Sequence, residues 1–287
     1  MGKIIIMTDS TSDIPQEVRE RLQIEMIPLK IEIDGVTYLD NVTLDPDSFY
    51  EKLAAASALP KTSQPSPTEF VEAFQRILQQ EPDASIISFH LSSEFSGTYQ
   101  SALIAYSMLE EQADITIIDS KSASYGFGAR VVKAAEMALE GESKEAILEE
   151  VSRLEKETEV FFLVDTLEYL QKGGRIGRAS AIIGTLLNIK PILSIDKDGF
   201  VTSVDKVRGT KKAMNRIIEL LHQKFDPQEP VAIIMAWAGR KDAAMDLHEL
   251  VKNSFNVQKT DFTTIGPVIG NHAGPGTSAV FMYKLKG

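Results

Sequence analysis

Apolar residues in the first half of the chain follow two alternating patterns. Ile4-Ile5-Ile6-Met7, Ile86-Ile87-Ser88-Phe89 and Ile115-Thr116-Ile117-Ile118 are short, nearly continuous apolar runs, each giving way to a polar turn. Such runs suit strands of a parallel sheet covered by helices on both faces. Between them, Phe70, Ala73, Phe74, Ile77 and Leu78 recur at helical spacing. Ser66-Pro67-Thr68-Glu69 ahead of them combines a capping box with proline at the first helical position. Tyr99, Ala102, Leu103 and Tyr106 predict a second core-facing stripe, and Ile147, Val151 and Leu154 a third.

The second half has a different texture. Val160 to Val164 predicts a strand, with a short helix around Leu167 to Leu170 and then the glycine-rich stretch Gly173-Gly174-Arg175-Ile176-Gly177. The apolar segment Ala181 to Leu187 leads to a strand at Ile192 to Ile195. Asp196-Lys197-Asp198-Gly199 predicts a hairpin turn into Val201 to Val207. Thr210 is placed as the cap of a helix carrying Met214, Ile217, Ile218 and Leu221. Val231 to Trp237 is another buried strand, and a helix and two strands complete the chain. At 287 residues two packed domains are expected. The change of texture puts their boundary near Thr158, with a parallel-sheet α/β/α domain over 1–158 and a mixed-sheet α+β domain over 159–287.

Composition narrows the function more than the fold. Cysteine is absent, which excludes disulfides, thiolate metal sites and cysteine nucleophiles and suits a reducing cytoplasm. No apolar run reaches the length of a membrane-spanning helix, and Met1-Gly2-Lys3 leads straight into a strand, so a cytoplasmic chain is expected. The formal charge of −11 argues against broad nucleic-acid binding. One local basic patch stands out against it, Arg208 with Lys206, Lys211 and Lys212.

Three polar clusters could carry chemistry. Lys61-Thr62-Ser63-Gln64-Pro65-Ser66-Pro67 is a hydroxyl-rich loop pinned by two prolines. Ser92-Ser93-Glu94-Phe95-Ser96-Gly97-Thr98 links a parallel strand to a helix. Residues 266–276 form a glycine- and proline-rich loop that presents His272. In a parallel α/β sheet the loops after the strand C-termini form the ligand crevice. Hydroxyls, helix N-termini and a histidine there suit a carboxylate or phosphate. Each cluster also has a plain structural reading: serines before a helix are commonly caps, and a threonine ahead of a proline commonly closes a turn. Gly173 to Gly177 lacks the lysine and spacing of a phosphate-binding loop. No histidine–carboxylate pair stands at metal-ligand spacing, and no G-x-S-x-G elbow occurs. Neither a metal nor a cofactor is expected, and His90, His222 and His248 show no functional pattern.

In combination these clusters resemble the DegV family, bacterial fatty-acid-binding proteins that include the FakB subunits of fatty acid kinase. The matching stretches begin with Thr8-Asp9-Ser10-Thr11-Ser12-Asp13, the Thr62 and Ser93 clusters, and Asp119-Ser120-Lys121-Ser122-Ala123-Ser124. Gly173-Gly174-Arg175-Ile176, Asn188-Ile189-Lys190-Pro191 and His272-Ala273-Gly274-Pro275-Gly276 follow in the family's order. The resemblance implies a long-chain fatty acid held between the two domains. Thr62 and Ser93 would bond its carboxylate, His272 would complete the network, and Ser63, Ser92, Ser96, Gly97 and Arg175 would support the head group. Phe95 with Ile182, Ile183, Leu186 and Leu187 would line the acyl tunnel. A separate ATP-dependent fatty acid kinase would receive the carboxylate for acyl-phosphate formation in phospholipid synthesis, with Arg175 and Arg208 as candidate contacts. Phe95 stands where leucine is common in the family, Gly177 where serine is common, and Thr277-Ser278 where smaller or apolar residues are usual. Two other readings stay open: a serine acyl hydrolase using Ser93 with His272 as base, and a regulatory fatty-acid sensor.

Overall fold

In chain order the elements are β1 (Ile4–Asp9), α1 (Gln16–Arg21), β2 (Glu25–Ile27), β3 (Lys30–Ile33), β4 (Val36–Leu39), α2 (Pro46–Ala55), β5 (Lys61–Ser63) and α3 (Pro67–Gln80). They continue with β6 (Ser85–His90), α4 (Thr98–Ser107), β7 (Asp114–Asp119), α5 (Tyr125–Leu139), α6 (Lys144–Glu157), β8 (Glu159–Leu163) and α7 (Glu168–Lys172). The rest are β9 (Ile189–Ile195), β10 (Val201–Arg208), α8 (Thr210–His222), β11 (Val231–Trp237), α9 (Asp242–Ser254), β12 (Val257–Thr264), α10 (Pro267–Ala273) and β13 (Ser278–Lys284). This computed structural model describes residues 2–109, 113–182, 184 and 189–285.

The three apolar runs pair as the pattern requires, in a parallel sheet of order β2-β1-β6-β7. Ile6 lies opposite Ile87, and Ile86 opposite Ile115. A second, mixed sheet has the order β10-β9-β8-β13-β11-β12, and a small antiparallel sheet has the order β4-β3-β5. The chain is therefore α/β, with an N-terminal parallel sheet and a C-terminal mixed one.

Helix faces follow the sequence pattern where it has a clear phase. α3 begins with the Ser66/Glu69 capping box and buries Phe70, Phe74 and Ile77, and α6 buries Ile147, Val151 and Leu154. α4 departs from expectation. Leu103 and Tyr106 are exposed, and the buried face is Thr98, Ser101, Ala102 and Ala105. Apolar residues occur all around this helix, so their spacing sets no phase. The small residues turn inward, where Ala102 and Ala105 share one core with Phe70 and Phe74 of α3. The largest apolar cluster joins the two sheets, taking Ile87 and Phe89 from β6, Phe127 and Val131 from α5, and Phe162 and Phe281 from β8 and β13.

Three local expectations change. Thr62 and Ser63 sit in β5, paired with β3 through Ile31 opposite Thr62, so this segment is a strand where a loop was read. The stretch carrying His272 is likewise a helix, α10, with Pro267 at its start and Gly274 (φ 82°) just past its end; proline at N1 and glycine at C′ are the matching start and stop signals. Thr210 does not cap α8: the N-cap is Gly209, at φ 87°, because β10 continues to Arg208 and the chain must turn in one residue.

Candidate functional site

Asp9, His90 and Asp119 end β1, β6 and β7, so three polar side chains gather at the C-terminal edge of the parallel sheet. Asp9 is fully buried and accepts the backbone N–H groups of Thr11 and Leu91, at 3.0 and 3.1 Å. It also faces His90 Nδ1 at 3.1 Å, and Ser88 Oγ lies 2.8 Å from His90 Nε2. A carboxylate can only accept, so the proton sits on Nδ1 and Ser88 donates to Nε2. Serine, histidine and aspartate thus stand in the order of a hydrolase relay. All three are fully buried, however, and none lines the cavity described below. The relay fixes the end of β6 and presents no nucleophile.

The loop after β6 spends its hydroxyls locally. Ser92 donates to the Gly199 carbonyl at 3.0 Å and accepts the Glu94 N–H at 3.2 Å, and Ser96 pairs with Thr98 at 2.9 Å. Ser93 Oγ donates to Asp119 Oδ2 at 2.6 Å, while its N–H reaches Asp119 Oδ1 at 3.2 Å. Gly97 lets the β5 segment close in: a Cβ there would stand 2.7 Å from Gln64 Nε2.

α10 is tied down at its start by two buried carboxylates from distant parts of the chain. Asp13 accepts the Gly266 N–H at 3.0 Å, and Asp40 accepts the Val268 N–H at 3.3 Å. Burial raises both: Asp13 well above the ordinary carboxylate range and Asp40 to about 7. Asn271 adds a bond to the Pro60 carbonyl at 2.9 Å, drawing α10 against the segment that enters β5. His272 Nε2 consequently meets Thr62 Oγ1 at 2.8 Å. Its Nδ1 is buried without a partner among the described residues and packs on Gly173, where a Cβ would approach to 2.3 Å. Burial, with the Arg175 guanidinium beside it, lowers His272 to about 4, so the ring is neutral at neutral pH. Arg175 in turn donates to the carbonyls of Phe95 at 3.0 Å and Gly173 at 2.7 Å, stitching the Ser93 loop to the end of α7.

His272, Arg175 and Phe95 border a narrow cavity of about 90 Å³. Its walls are apolar, with Val160 and Phe162 from β8, Ala279 and Phe281 from β13, and Ile265 and Ile269 around the start of α10. Among the described residues, Arg175 is the one ionised side chain in that lining. Larger grooves elsewhere, of about 530 and 540 Å³, carry charged residues in their walls.

Of the residues read from sequence, the structure brings together Thr62, His272, Arg175 and Phe95. Ser93 is engaged with Asp119, and Ser63 is exposed on β5. Thr62, Ser63, Ser92, Ser93, Ser96, Gly97 and Ile182 are not in the cavity lining. The expected tunnel residues Ile183, Leu186 and Leu187 lie outside the described residues. Arg208 is exposed at the end of β10, seven residues beyond Val201, the point where that strand touches the cavity. Sequence reasoning quoted Asp13 and Asp119 within the matching stretches but gave neither a role, and it missed Asp40 and the β8 and β13 wall. Among the described residues, no cluster of His, Asp or Glu could hold a metal ion, and no helix is long and apolar enough to cross a membrane.

The DegV family model matches residues 3–285. The chain belongs to the DegV family. A DegV domain-containing protein of Caldanaerobacter subterraneus is 38% identical over 281 residues, covering 98% of this chain and 99% of that one. A DegV family protein of Thermus thermophilus, whose structure is described as fatty acid binding, superposes with a TM-score of 0.91 at 37% identity, covering 99% of this chain and 100% of that one. DegV of Bacillus subtilis, described as a fatty acid binding protein, gives a TM-score of 0.88 at 36% identity, with 99% and 100% covered. The DegV chain described here shares both sheets with them across nearly its whole length.

Proposed function

We propose that this protein binds one long-chain fatty acid and presents its carboxylate to a separate ATP-dependent kinase in the cytoplasm. The observation that carries this reading is the polarity of the cavity: an apolar lining that, among the described residues, holds a single cation, Arg175, and a neutral imidazole, His272. Such a lining complements an amphiphile with one anionic head. The fatty-acid-binding descriptions of the DegV structures with the same fold favour a carboxylate for that head. A sixteen-carbon tail would gain on the order of 0.8 kcal/mol per buried CH₂, roughly ten kcal/mol before ordering costs. Burial of the tail supplies affinity; Thr62, His272 and Arg175 orient the head. In this reading the head is held between the proposed domains 1–158 and 159–287, by Thr62 of the first and by His272 and Arg175 of the second.

The bound carboxylate oxygen would attack the γ-phosphate of ATP held by the kinase, giving acyl phosphate and ADP. This chain supplies orientation and shelter, and the kinase supplies the nucleotide site. The hydrolase reading loses support, since Ser93 bonds Asp119 and His272 bonds Thr62, with no bond joining Ser93 to His272 among the described residues. Arg208, with exposed Lys206, Lys211 and Lys212 beside it, is the proposed docking patch for an acidic kinase surface. The test loads the protein with labelled palmitate, adds kinase and ATP, and traps acyl phosphate with hydroxylamine. Hydroxamate should form with wild type. With Arg208→Glu it should fall severalfold at limiting carrier while palmitate affinity stays near wild type. No hydroxamate from a loaded carrier would refute presentation, and an unchanged Arg208→Glu rate would move the docking surface elsewhere.

A further inference from the structure

Along β13 the apolar cavity gives way to a second space. Thr277, Ala279 and Phe281 face the cavity at alternate positions along β13 and the residue before it, as strand geometry requires. Tyr283 continues the same face but lines the groove of about 530 Å³ bordered by α5, α6, β12 and β13. The opposite wall changes over at the same level: Ser124 lines the cavity and Tyr125 lines the groove. Phe281 is thus the last cavity residue on its strand before the groove begins. Its neighbour across the sheet is Val160, which also lines the cavity.

The ring is seated on a glycine. A Cβ at Gly126 would stand 2.3 Å from Phe281 Cε1 and 2.7 Å from Cδ1. Gly126 lies in α5, where glycine is otherwise unfavourable. What the missing side chain provides there is room for the ring to lie back against the helix. The head-group end of the cavity is marked by His272 and Thr277. Phe281 lies four residues beyond Thr277, about 14 Å along an extended strand.

We propose that Phe281, seated on Gly126, is the stop that sets the longest acyl chain this protein accepts. The inference rests on the fatty-acid reading above. With the carboxylate fixed near Thr62 and His272, each added methylene extends the tail toward the ring. A chain that reaches the ring is fully buried, and a longer one must displace the ring into the groove. The two partners therefore act in opposite senses. Trimming Phe281 lengthens the cavity toward the groove. A methyl group on Gly126 drives the ring into the cavity and shortens it.

The experiment measures affinities of wild type, Phe281→Leu and Gly126→Ala for straight-chain saturated acids from lauric to behenic. Phe281→Leu should move the optimum to longer acids, with about a tenfold relative gain for the acid two carbons beyond the wild-type optimum. Gly126→Ala should move the optimum to shorter acids. If leucine unfolds the protein, Phe281→Met keeps most of the volume on a flexible side chain and should extend the tolerated lengths upward. Variants that bind with the wild-type optimum unmoved would overturn the stop and leave the fatty-acid reading intact. Wild type that binds none of the acids would overturn that reading, and the stop with it.

Discussion

A hydroxyl has one proton to give, and this separates Thr62 from Ser93. Ser93 gives its proton to Asp119, so it offers an incoming carboxylate only lone pairs unless it rotates away. Thr62 bonds a neutral imidazole at Nε2. If Nε2 carries the hydrogen, the Thr62 proton is free for a ligand oxygen; Nδ1 then keeps a lone pair in a buried place without a partner among the described residues. Thr62→Ala should therefore weaken fatty-acid binding by about 1.5–3 kcal/mol, the range for a lost bond to a charged group. Ser93→Ala should cost less, because its gain on binding is offset by the bond to Asp119 it must release. Titration of both variants with one labelled acid tests the order, and a larger loss at Ser93 would reverse the assignment. His272 makes a second claim at this scale. Its pKa in the ligand-free protein lies near 4 against an ordinary 6.5. The unfolded chain then takes up a proton before the folded one does. This contribution to stability is whole above about pH 6.5 and drains away as pH falls toward 4. An NMR titration of the imidazole should give a midpoint well below 6, and His272→Gln should flatten stability between those limits. A midpoint at the ordinary histidine value would contradict the burial argument.

Elements with one strong local signal were legible before the structure. Continuous apolar runs marked β1, β6, β7 and β11, and the Ser66/Glu69 box marked the start of α3. Those signals work because strand burial and helix capping are settled within a few residues. α4 was misjudged in facing because apolar residues surround it, so only its packing partner decides which side turns inward. β5 has three residues and exists because β3 is there to pair with it. α10 was hidden by its glycines, although Pro267 and Gly274 bracket it as start and stop signals do. Its position depends on Asp13 and Asp40, more than two hundred residues earlier in the chain. Such a contact leaves no trace in local spacing. Thr62, His272 and Arg175 were put forward as site residues through family resemblance, and on loop position alone they carried much less.

At the scale of the whole molecule, the cavity belongs to no single segment. Its wall runs from Leu91 to Phe281 and joins strands of the mixed sheet to the loops that follow β6 and β7, and each wall residue in isolation reads as ordinary core. That is why the sequence pointed to Ile182 through Leu187 as the tunnel, while the described lining comes largely from β8, β13 and the start of α10. A cavity with an almost wholly apolar wall is costly to leave unfilled, because its lining forgoes contacts that a packed core would make. A bound amphiphile restores them. The most direct measurement is mass spectrometry of the organic extract of the purified protein, with native mass spectrometry of the same sample. The account predicts close to one equivalent of long-chain free fatty acid, released on denaturation. Protein that carries none, and that takes up none of the added acids from myristic to arachidic, would contradict it.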